Sequence, residues 1–158
     1  MLIVVGPTAG HVYPALAIAE AWRAAVGHGL DVHFAGAPDG PAERLLAARG
    51  LRLDVVSGSQ LVNVGLGGKL AAVPRVLTGM AQASRLLRAY GTRLVIGLGG
   101  YASGGVLLAA RARGARVAIH EANVMPGLAN RLLAPFVHRV YLGFAAGARA
   151  FPASRRLV

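Results

Sequence analysis

Short apolar runs alternate along the chain with longer helix-like segments, and this alternation limits the possible folds more than any other feature. The runs are almost continuously apolar, as in strands covered on both faces, and they occupy residues 2–5, 32–35, 51–56, 94–98, 116–120 and 139–143. Helical spacing of apolar residues occupies 14–26, 41–50, 69–90, 104–114 and 127–136. Strands and helices in alternation form right-handed βαβ crossovers. The sequence therefore predicts an α/β fold with a Rossmann-like, doubly wound parallel sheet.

Helix ends and chain length fit this prediction. Glycines follow the helical segments at positions where a left-handed residue commonly ends a helix, namely Gly29, Gly50, Gly91 and Gly114. Residues 151–158 predict one more turn and the start of another strand. Because the 158 residues contain no repeat, low-complexity tract or internal linker, we expect one domain over residues 1–158.

The charge balance predicts an anionic partner. Seventeen Lys and Arg against six Asp and Glu give a formal net charge of +11, which favours nucleic acid, an acidic membrane or a phosphate-bearing substrate. Nucleic acid is disfavoured as a partner because the chain has no platform of interleaved aromatic residues and no recognised binding motif. No His or Asp cluster has metal-ligand spacing, so we expect no metal site.

The composition also bears on the compartment. The chain has no cysteine, which suits a reducing environment. Its first residues enter a strand at once and leave no room for a signal peptide, and no apolar run reaches the ~18 residues that a membrane-spanning helix needs. These features favour the cytoplasmic side of the membrane.

Three unusual loops follow predicted strands, and in an open α/β sheet ligands bind at that edge. The first loop is GPTAGH (6–11), the second is GLGGYASGG (97–105) and the third is HEANVMPG (120–127). Because parallel strands place their carboxyl ends along one edge, we expect the three loops to form a shared site.

Each loop carries residues suited to a phosphate or a sugar. In the first, Gly6 and Gly10 leave backbone N–H groups open to an anion at a helix start, and His11 either acts as a general base or braces the turn. In the second, glycines surround Tyr101 and Ser103, which suggests two phosphates, or a phosphate and a sugar. In the alternative interpretation, Tyr101 is a half-buried aromatic residue that only fills space.

The third loop contributes a carboxylate from a chain that has only six. Glu121 either accepts hydrogen bonds from sugar hydroxyls, acts as a base, or neutralises a nearby arginine, and Asn123 can donate and accept. His120 ends the strand and is interpreted as structural.

In this order, the three loops resemble those of the MurG family of peptidoglycan glycosyltransferases. The matching residues are Gly6, Thr8, Gly10, His11, Pro14, Leu16, Ala17 and Ala19 in and after the first loop, Gly97, Gly99, Gly100, Tyr101 and Ser103 in the second, and His120, Glu121, Asn123, Gly127 and Asn130 in and after the third. Pro7, Ala9, Gly105 and Ala122 depart from the family pattern. Pro7 removes a backbone donor and Ala9 restricts the chain relative to glycine.

The resemblance implies the amino-terminal half of a GT-B fold, with the carboxyl-terminal UDP-sugar-binding domain absent from this chain. It implies the acceptor-binding domain of an inverting enzyme that transfers N-acetylglucosamine from UDP-N-acetylglucosamine to undecaprenyl-pyrophosphoryl-N-acetylmuramoyl-pentapeptide, with the donor as substrate and no cofactor. His11 is then the catalytic base and Glu121 an alternative base or an orienting group. The implied acceptor-binding residues are Gly6, Thr8, Gly10, Gly99, Gly100, Tyr101, Ser103, Asn123 and Asn130.

The resemblance also implies a peripheral position on the anionic inner membrane, at its cytoplasmic face. The implied contacts are Lys69, Leu70, Arg75, Met80, Arg85 and Arg88. In the alternative interpretation this helix packs its apolar side on the sheet, which we expect for Val73 and Leu77. A second function stays open: a non-catalytic membrane adaptor, one half of a split glycosyltransferase that recruits a separate catalytic chain. In either case we expect the isolated chain to be inactive.

Overall fold

Seven strands and five α-helices follow one another in a computed structural model that describes residues 1–27, 31–38, 40–58 and 66–157, with only the backbone for 66–71. The strands are β1 (Leu2–Val5), β2 (His33–Gly36), β3 (Leu53–Val55), β4 (Leu94–Gly97), β5 (Arg116–Glu121), β6 (Arg139–Leu142) and β7 (Arg156–Leu157). The helices are α1 (Ala9–Val26), α2 (Pro41–Ala47), α3 (Leu66–Ala89), α4 (Ser103–Ala112) and α5 (Leu128–Leu133). Short 3-10 helices cover Ala134–Phe136 and Ala145–Ala150.

All of these strands pair in parallel in one sheet with the order β3-β2-β1-β4-β5-β6-β7. The predicted Rossmann-like α/β fold is therefore confirmed. The strand order reverses between β1 and β4, which pair with Val4 opposite Gly97. Such a switch point opens a crevice at the carboxyl ends of its two strands, and here the first and second loops follow those ends.

The core consists of two layers, one on each face of the sheet. Successive side chains of a strand point to opposite faces, so Leu2 and Val4 lie in one buried cluster while Ile3 and Val5 lie in the other. The first cluster includes residues of α3 and α4, and the second includes residues of α1 and α2. Covering both faces explains why the strands read as continuous apolar runs.

Helix α1 begins at Ala9 and contains Pro14, whereas the sequence predicted a start at Pro14. Proline lacks the N–H that would reach the carbonyl of Gly10, but so near the start of a helix this loss is tolerated. The earlier start has a consequence for the site, because it places His11 in the first turn of the helix.

Three of the predicted glycine ends are confirmed by left-handed backbone angles: φ is 68° at Gly50, 56° at Gly91 and 77° at Gly114. The fourth prediction, Gly29, falls outside the described residues. Helix α1 instead ends at Val26, and Gly27 caps it with φ of 80°. The predicted strand start near the carboxyl terminus is also confirmed, as β7 pairs with β6.

Candidate functional site

His11 lies where the first loop meets α1, and its ring is held by Thr8. The two residues are joined by a hydrogen bond of 2.7 Å between Thr8 Oγ1 and His11 Nδ1. Burial lowers the pKa of the His11 imidazole, and the negative charge of Glu121 offsets part of this effect. A half-buried histidine with a lowered pKa is neutral at pH 7, so it can accept a proton.

Close packing of the first and second loops accounts for their glycines. A Cβ on Gly6 would lie 2.7 Å from His11 Nδ1, so any side chain there would displace the imidazole ring. A Cβ on Gly100, where φ is 83°, would lie 2.7 Å from the Cα of Gly6. A Cβ on Gly99 would lie 3.2 Å from His11 Nε2. These three glycines let the backbone approach the ring and the neighbouring loop.

Gly10 differs from those glycines, because it is exposed and the nearest atom to a Cβ there would be Thr8 Oγ1 at 3.8 Å. No packing contact therefore requires glycine at this position. The position leaves the start of α1 open, as the sequence predicted for an anion site.

Glu121 organises the third loop. Its side chain is only 1% exposed. Oε1 accepts hydrogen bonds from the N–H of Asn123 at 2.9 Å and from Asn123 Nδ2 at 2.8 Å. Oε2 accepts from the N–H of Gly127 and from Asn130 Nδ2, both at 2.9 Å. Four N–H donors thus surround a buried carboxylate and hold the loop and the start of α5 in place.

This geometry bears on the three roles that the sequence left open for Glu121. In the part of the chain that the structure describes, the single ion pair joins Arg52 to Asp54, so the role of neutralising an arginine is not supported. A carboxylate enclosed by four donors is poorly placed to take a proton from a sugar hydroxyl. The contacts favour the orienting role.

The second loop contains two predicted acceptor-binding side chains with different surroundings. Ser103 is completely buried, and its hydroxyl donates to the carbonyl of Gly99 at 2.5 Å. It supports the loop from beneath, so the predicted contact between Ser103 and an acceptor does not fit its position. Tyr101 is half-buried at the tip of the loop.

Asn123 and Asn130 also differ in their exposure to solvent. Asn123 is exposed at the edge of the third loop, whereas Asn130 is 2% exposed and lies between Glu121 and the second loop. A Cβ on Gly99 would be 3.5 Å from Asn130 Nδ2. The structure thus brings His11, Gly99, Glu121 and Asn130 together at the ends of β1, β4 and β5, and it leaves Thr8, Gly10 and Asn123 exposed around them.

Comparison with known proteins assigns this chain to a family. Residues 1–142 match the glycosyltransferase family 28 N-terminal domain. The chain belongs to glycosyltransferase family 28. The amino-terminal domain of that family accounts for nearly the whole chain.

Named relatives of this family 28 domain cover almost all of it. The UDP-N-acetylglucosamine--N-acetylmuramyl-(pentapeptide) pyrophosphoryl-undecaprenol N-acetylglucosamine transferase of Acidithiobacillus ferrooxidans is 44% identical over 149 residues, which is 94% of this chain and 40% of the relative. The protein of the same name from Geotalea uraniireducens is 39% identical over 96% of this chain and 41% of its own length. The chain therefore spans about two fifths of these relatives.

Solved structures agree with the fold. The crystal structure of Acinetobacter baumannii MurG is similar over 99% of this chain and 44% of that protein, with a TM-score of 0.82 and 32% identity. The glycosyltransferase SsfS6 of Streptomyces sp. SF2575 has a TM-score of 0.62 at 18% identity, and it supports the fold alone. The family 28 chain thus has the architecture of the amino-terminal half of a GT-B protein.

Two of the residues that depart from the family pattern make packing contacts with other loops. Pro7 packs beside the second loop, since a Cβ on Gly100 would lie 3.3 Å from its Cδ. The backbone of Ala122 lies next to Gly143, where a Cβ would be 3.6 Å from the Cα of Ala122. Pro7 therefore exchanges a backbone donor for a packing contact.

Helix α3 carries the predicted membrane contacts of the family 28 domain. Val73 is 49% exposed and Leu77 is 59% exposed, so the expectation that they pack on the sheet is wrong: this side of α3 faces outward. Met80 instead is half-buried against α4, where a Cβ on Gly105 would lie 3.5 Å from Met80 Cγ, and this packing disfavours its predicted membrane contact.

The charged members of the predicted set are partly described. Arg75, Arg85 and Arg88 are exposed, while the side chains of Lys69 and Leu70 lie outside the described residues. None of the described helices is long and apolar enough to span a bilayer. Within the same ranges, no three His, Asp or Glu side chains gather in a way that would hold a metal ion.

Sequence reasoning missed two features of the site. It did not pair Thr8 with His11, although a threonine three residues before a histidine at a helix start was available as a signal. It also missed the exposed apolar residues within the third loop, of which Met125 is 85% exposed. Apolar residues in a predicted loop are a sign that the packed core does not need them.

Proposed function

We propose that this chain is the acceptor-binding domain of an inverting glycosyltransferase that transfers N-acetylglucosamine from UDP-N-acetylglucosamine to undecaprenyl-pyrophosphoryl-N-acetylmuramoyl-pentapeptide. The observation that carries the proposal is the position of His11, a neutral imidazole at the switch point of the sheet, enclosed by the first and second loops. The relatives named for this transfer support the choice of donor and acceptor.

In the proposed reaction, His11 is the general base. Its Nε2 takes the proton of the acceptor's sugar hydroxyl while the hydroxyl oxygen bonds to the anomeric carbon of the donor. The bond from that carbon to the UDP oxygen breaks, and its electron pair leaves with UDP. A single displacement inverts the anomeric centre and needs one base and no covalent intermediate. A neutral imidazole at pH 7 meets this requirement.

The start of α1 is the proposed site for the acceptor's pyrophosphate. The helix is 18 residues long, and its first intrahelical bonds run from His11 N and Val12 N to the carbonyl of Thr8. The N–H groups of Ala9 and Gly10 precede these bonds and have no helical partner, and the helix dipole adds positive potential. Exposed Gly10 and Thr8 allow a phosphate to approach.

Membrane contact is proposed for the outward side of α3. Arg75, Arg85 and Arg88 are exposed on α3, and so are Val73 and Leu77. Basic residues close to an anionic surface contribute ~1 kcal/mol each to membrane binding. Exposed apolar side chains would insert into the lipid. We propose a peripheral position on the cytoplasmic face of the inner membrane, where the lipid-linked acceptor would be reached.

A fusion protein tests the catalytic proposal. The chain is joined to the carboxyl-terminal part of the Acidithiobacillus ferrooxidans relative, and transfer of labelled N-acetylglucosamine to a lipid-linked acceptor is measured. We expect the fusion to transfer sugar and the isolated chain to be inactive, because a UDP leaving group needs a binding domain. His11→Ala in the fusion should lower kcat by roughly 10²–10⁴-fold with little change in acceptor KM.

The control is His138→Gln, which changes a histidine at the amino end of β6 and should keep kcat. Full activity of the His11→Ala fusion would contradict the proposed base. An inactive fusion, combined with membrane binding and with recruitment of a separately expressed carboxyl-terminal part, would instead support the adaptor function.

A further inference from the structure

Thr8 precedes the first turn of α1, at a position where a side-chain oxygen usually accepts a hydrogen bond from a backbone N–H. It occupies the N-cap position of α1, with φ of −102° and ψ of 157°, yet its hydroxyl makes no capping hydrogen bond. An N-cap threonine normally accepts a hydrogen bond from the backbone, a contact that stabilises the helix. Here the Thr8 oxygen lies 2.7 Å from His11 Nδ1 instead. The Thr8 hydroxyl therefore forms its hydrogen bond with the imidazole of His11 and not with the helix backbone.

The orientation of the ring is fixed from both sides. A Cβ on Gly6 would lie 2.7–2.8 Å from Nδ1, Cε1 and Cγ, so one face of the imidazole rests on Gly6. The Nε2 edge faces Gly99. Turning the ring over would exchange Nδ1 with a carbon and break the hydrogen bond to Thr8.

The neighbour of Nε2 indicates which nitrogen carries the hydrogen. A Cβ on Gly99 would lie 3.2 Å from His11 Nε2 and 3.5 Å from Asn130 Nδ2, so both nitrogens face the same small space. Asn130 must present its NH₂ on this side, because Nδ2 donates to the carboxylate of Glu121. A hydrogen on Nε2 would face another N–H donor, whereas a lone pair there faces the N–H side of the neutral Asn130 amide.

The surroundings of Thr8 agree with this direction. Thr8 is exposed, so its hydroxyl hydrogen can point to water or to a bound acceptor while its oxygen accepts from Nδ1–H. Among the residues that the structure describes, no group forms a hydrogen bond with Nε2, and this nitrogen is not fully buried. Nε2 is then the nitrogen open to a proton.

We propose that Thr8 is a positioning residue that holds His11 in the Nδ1–H tautomer and leaves the Nε2 lone pair free for the acceptor's hydroxyl. The catalytic part of this inference rests on the proposed function, while the tautomer itself does not. When Nε2 takes the proton, Nδ1 keeps its own and the resulting imidazolium donates more strongly to Thr8 Oγ1. No other group gains or loses a proton on the enzyme.

The tautomer is measured on the 158-residue chain by ¹⁵N NMR of its imidazole nitrogens, at a pH where His11 is neutral. We expect Nδ1 to be protonated and Nε2 to be bare in the unmodified chain. Thr8→Val, which keeps the shape but removes the hydroxyl, should give a mixture of tautomers, and Thr8→Ser should restore Nδ1–H. Thr78→Val is the matched control, since the Thr78 hydroxyl donates to the carbonyl of Pro74 within α3.

An Nε2–H tautomer in the unmodified chain would overturn the inference, and this measurement needs no variant to fold. An unchanged tautomer in Thr8→Val would also overturn it. In the active fusion, Thr8→Val should lower kcat by at least about 10-fold, and by no more than the roughly 10²–10⁴-fold that a general base contributes, and Thr8→Ser should retain most of it. A rise in acceptor KM with kcat kept would mean that Thr8 only binds the acceptor. If the fusion is inactive, the proposed function fails while the NMR result still decides the tautomer.

Discussion

The two ends of the same strands have opposite chemistry. At the carboxyl ends of β1, β4 and β5, glycine loops pack tightly and enclose His11 and Glu121. At the amino ends, an arginine begins or directly precedes each of four adjacent strands, β4 to β7: Arg93, Arg116, Arg139 and Arg155. We call these four residues the arginine row; Arg116 N donates to the carbonyl of Arg93 at 2.8 Å, and Val140 N donates to that of Arg155 at 2.7 Å.

Among the residues that the structure describes, the arginines at the amino ends have no carboxylate partner, whereas the Glu121 carboxylate at the other edge accepts four hydrogen bonds. Burial is the main cause of the lowered pKa of His138, and the charges of Arg111, Arg116 and Arg155 lower it further. In the described ranges, none of these arginines forms an ion pair. The comparison teaches that the net charge of +11 does not locate the candidate site, because these arginines lie at the opposite ends of the strands.

The largest expected effect is on Glu121. Replacing it with alanine leaves four N–H donors without their acceptor, so Glu121→Ala should lower the free energy of unfolding by about 3–5 kcal/mol. Glu20→Ala, an exposed change in α1, should stay within about 0.5 kcal/mol. Urea unfolding of both variants checks this. A loss below about 1 kcal/mol for Glu121→Ala would mean that the polar network is not what holds the third loop.

The loop packing predicts a smaller difference between two glycines. Gly91 and Gly100 both have positive φ, at 56° and 83°, but nothing lies within 4 Å of a Cβ on Gly91, while the Cα of Gly6 is 2.7 Å from a Cβ on Gly100. Gly91→Ala should cost roughly 1–2 kcal/mol for its backbone conformation. Gly100→Ala should cost roughly 1–3 kcal/mol more for overpacking. Equal costs in thermal or urea unfolding would refute the close approach of the two loops.

Acid should destabilise the protein by protonating histidines at both ends of the strands. The pKa values of His11, His120 and His138 are all lowered, chiefly by burial. Since the unfolded chain binds protons more readily, stability is full above the ordinary histidine pKa of about 6.5 and falls as the pH drops below it. Urea midpoints between pH 7.5 and 5 measure this. A midpoint that stays constant or rises would contradict the burial of these rings.

Removing one arginine should separate the two ends. Arg116→Gln should raise the pKa of His138, because a like charge is lost, and it should leave the pKa of His11 unchanged. Titration of the imidazole protons by NMR compares the two rings in one experiment. Equal shifts of both rings would indicate a change in fold.

The smallest effect is expected for Arg93→Gln. Arg93 is exposed, so the free energy of unfolding should change by no more than about 0.5 kcal/mol. A stabilisation well above that value would show that repulsion within the arginine row strains the sheet. The same urea unfolding assay measures it.

Hydrophobic periodicity was sufficient to predict the sheet, because both faces of the central strands β1, β2, β4 and β5 are mostly buried and these strands are consequently almost continuously apolar. It misplaced the start of α1, since Pro14 reads locally as a first helical residue, whereas the packing of His11 on Gly6 depends on the distant second loop. The pattern of α3 also failed for Val73 and Leu77, because helical spacing does not say which apolar side faces the sheet.

The candidate residues were identified in sequence, but several of their roles depend on contacts across loops. Glu121 reads as a catalytic carboxylate until its four donors are known, and Ser103 reads as a ligand contact until its burial is known. Asn130 lies nine residues from Glu121 and still bonds to it. Such partners are set by how β5, α5 and the second loop pack together, which no local pattern encodes.

The central claim is that the carboxyl edge, and not the arginine row, binds the pyrophosphoryl-linked acceptor. It is tested by titrating the ¹⁵N-labelled chain with a water-soluble, short-chain analogue of that acceptor, with inorganic pyrophosphate as the charge-only control. We predict that the analogue shifts the backbone amide signals of Gly10, His11, Tyr101 and Asn123 more than pyrophosphate does. Shifts confined to Arg93, Arg116 and Arg139 with both ligands would contradict the account.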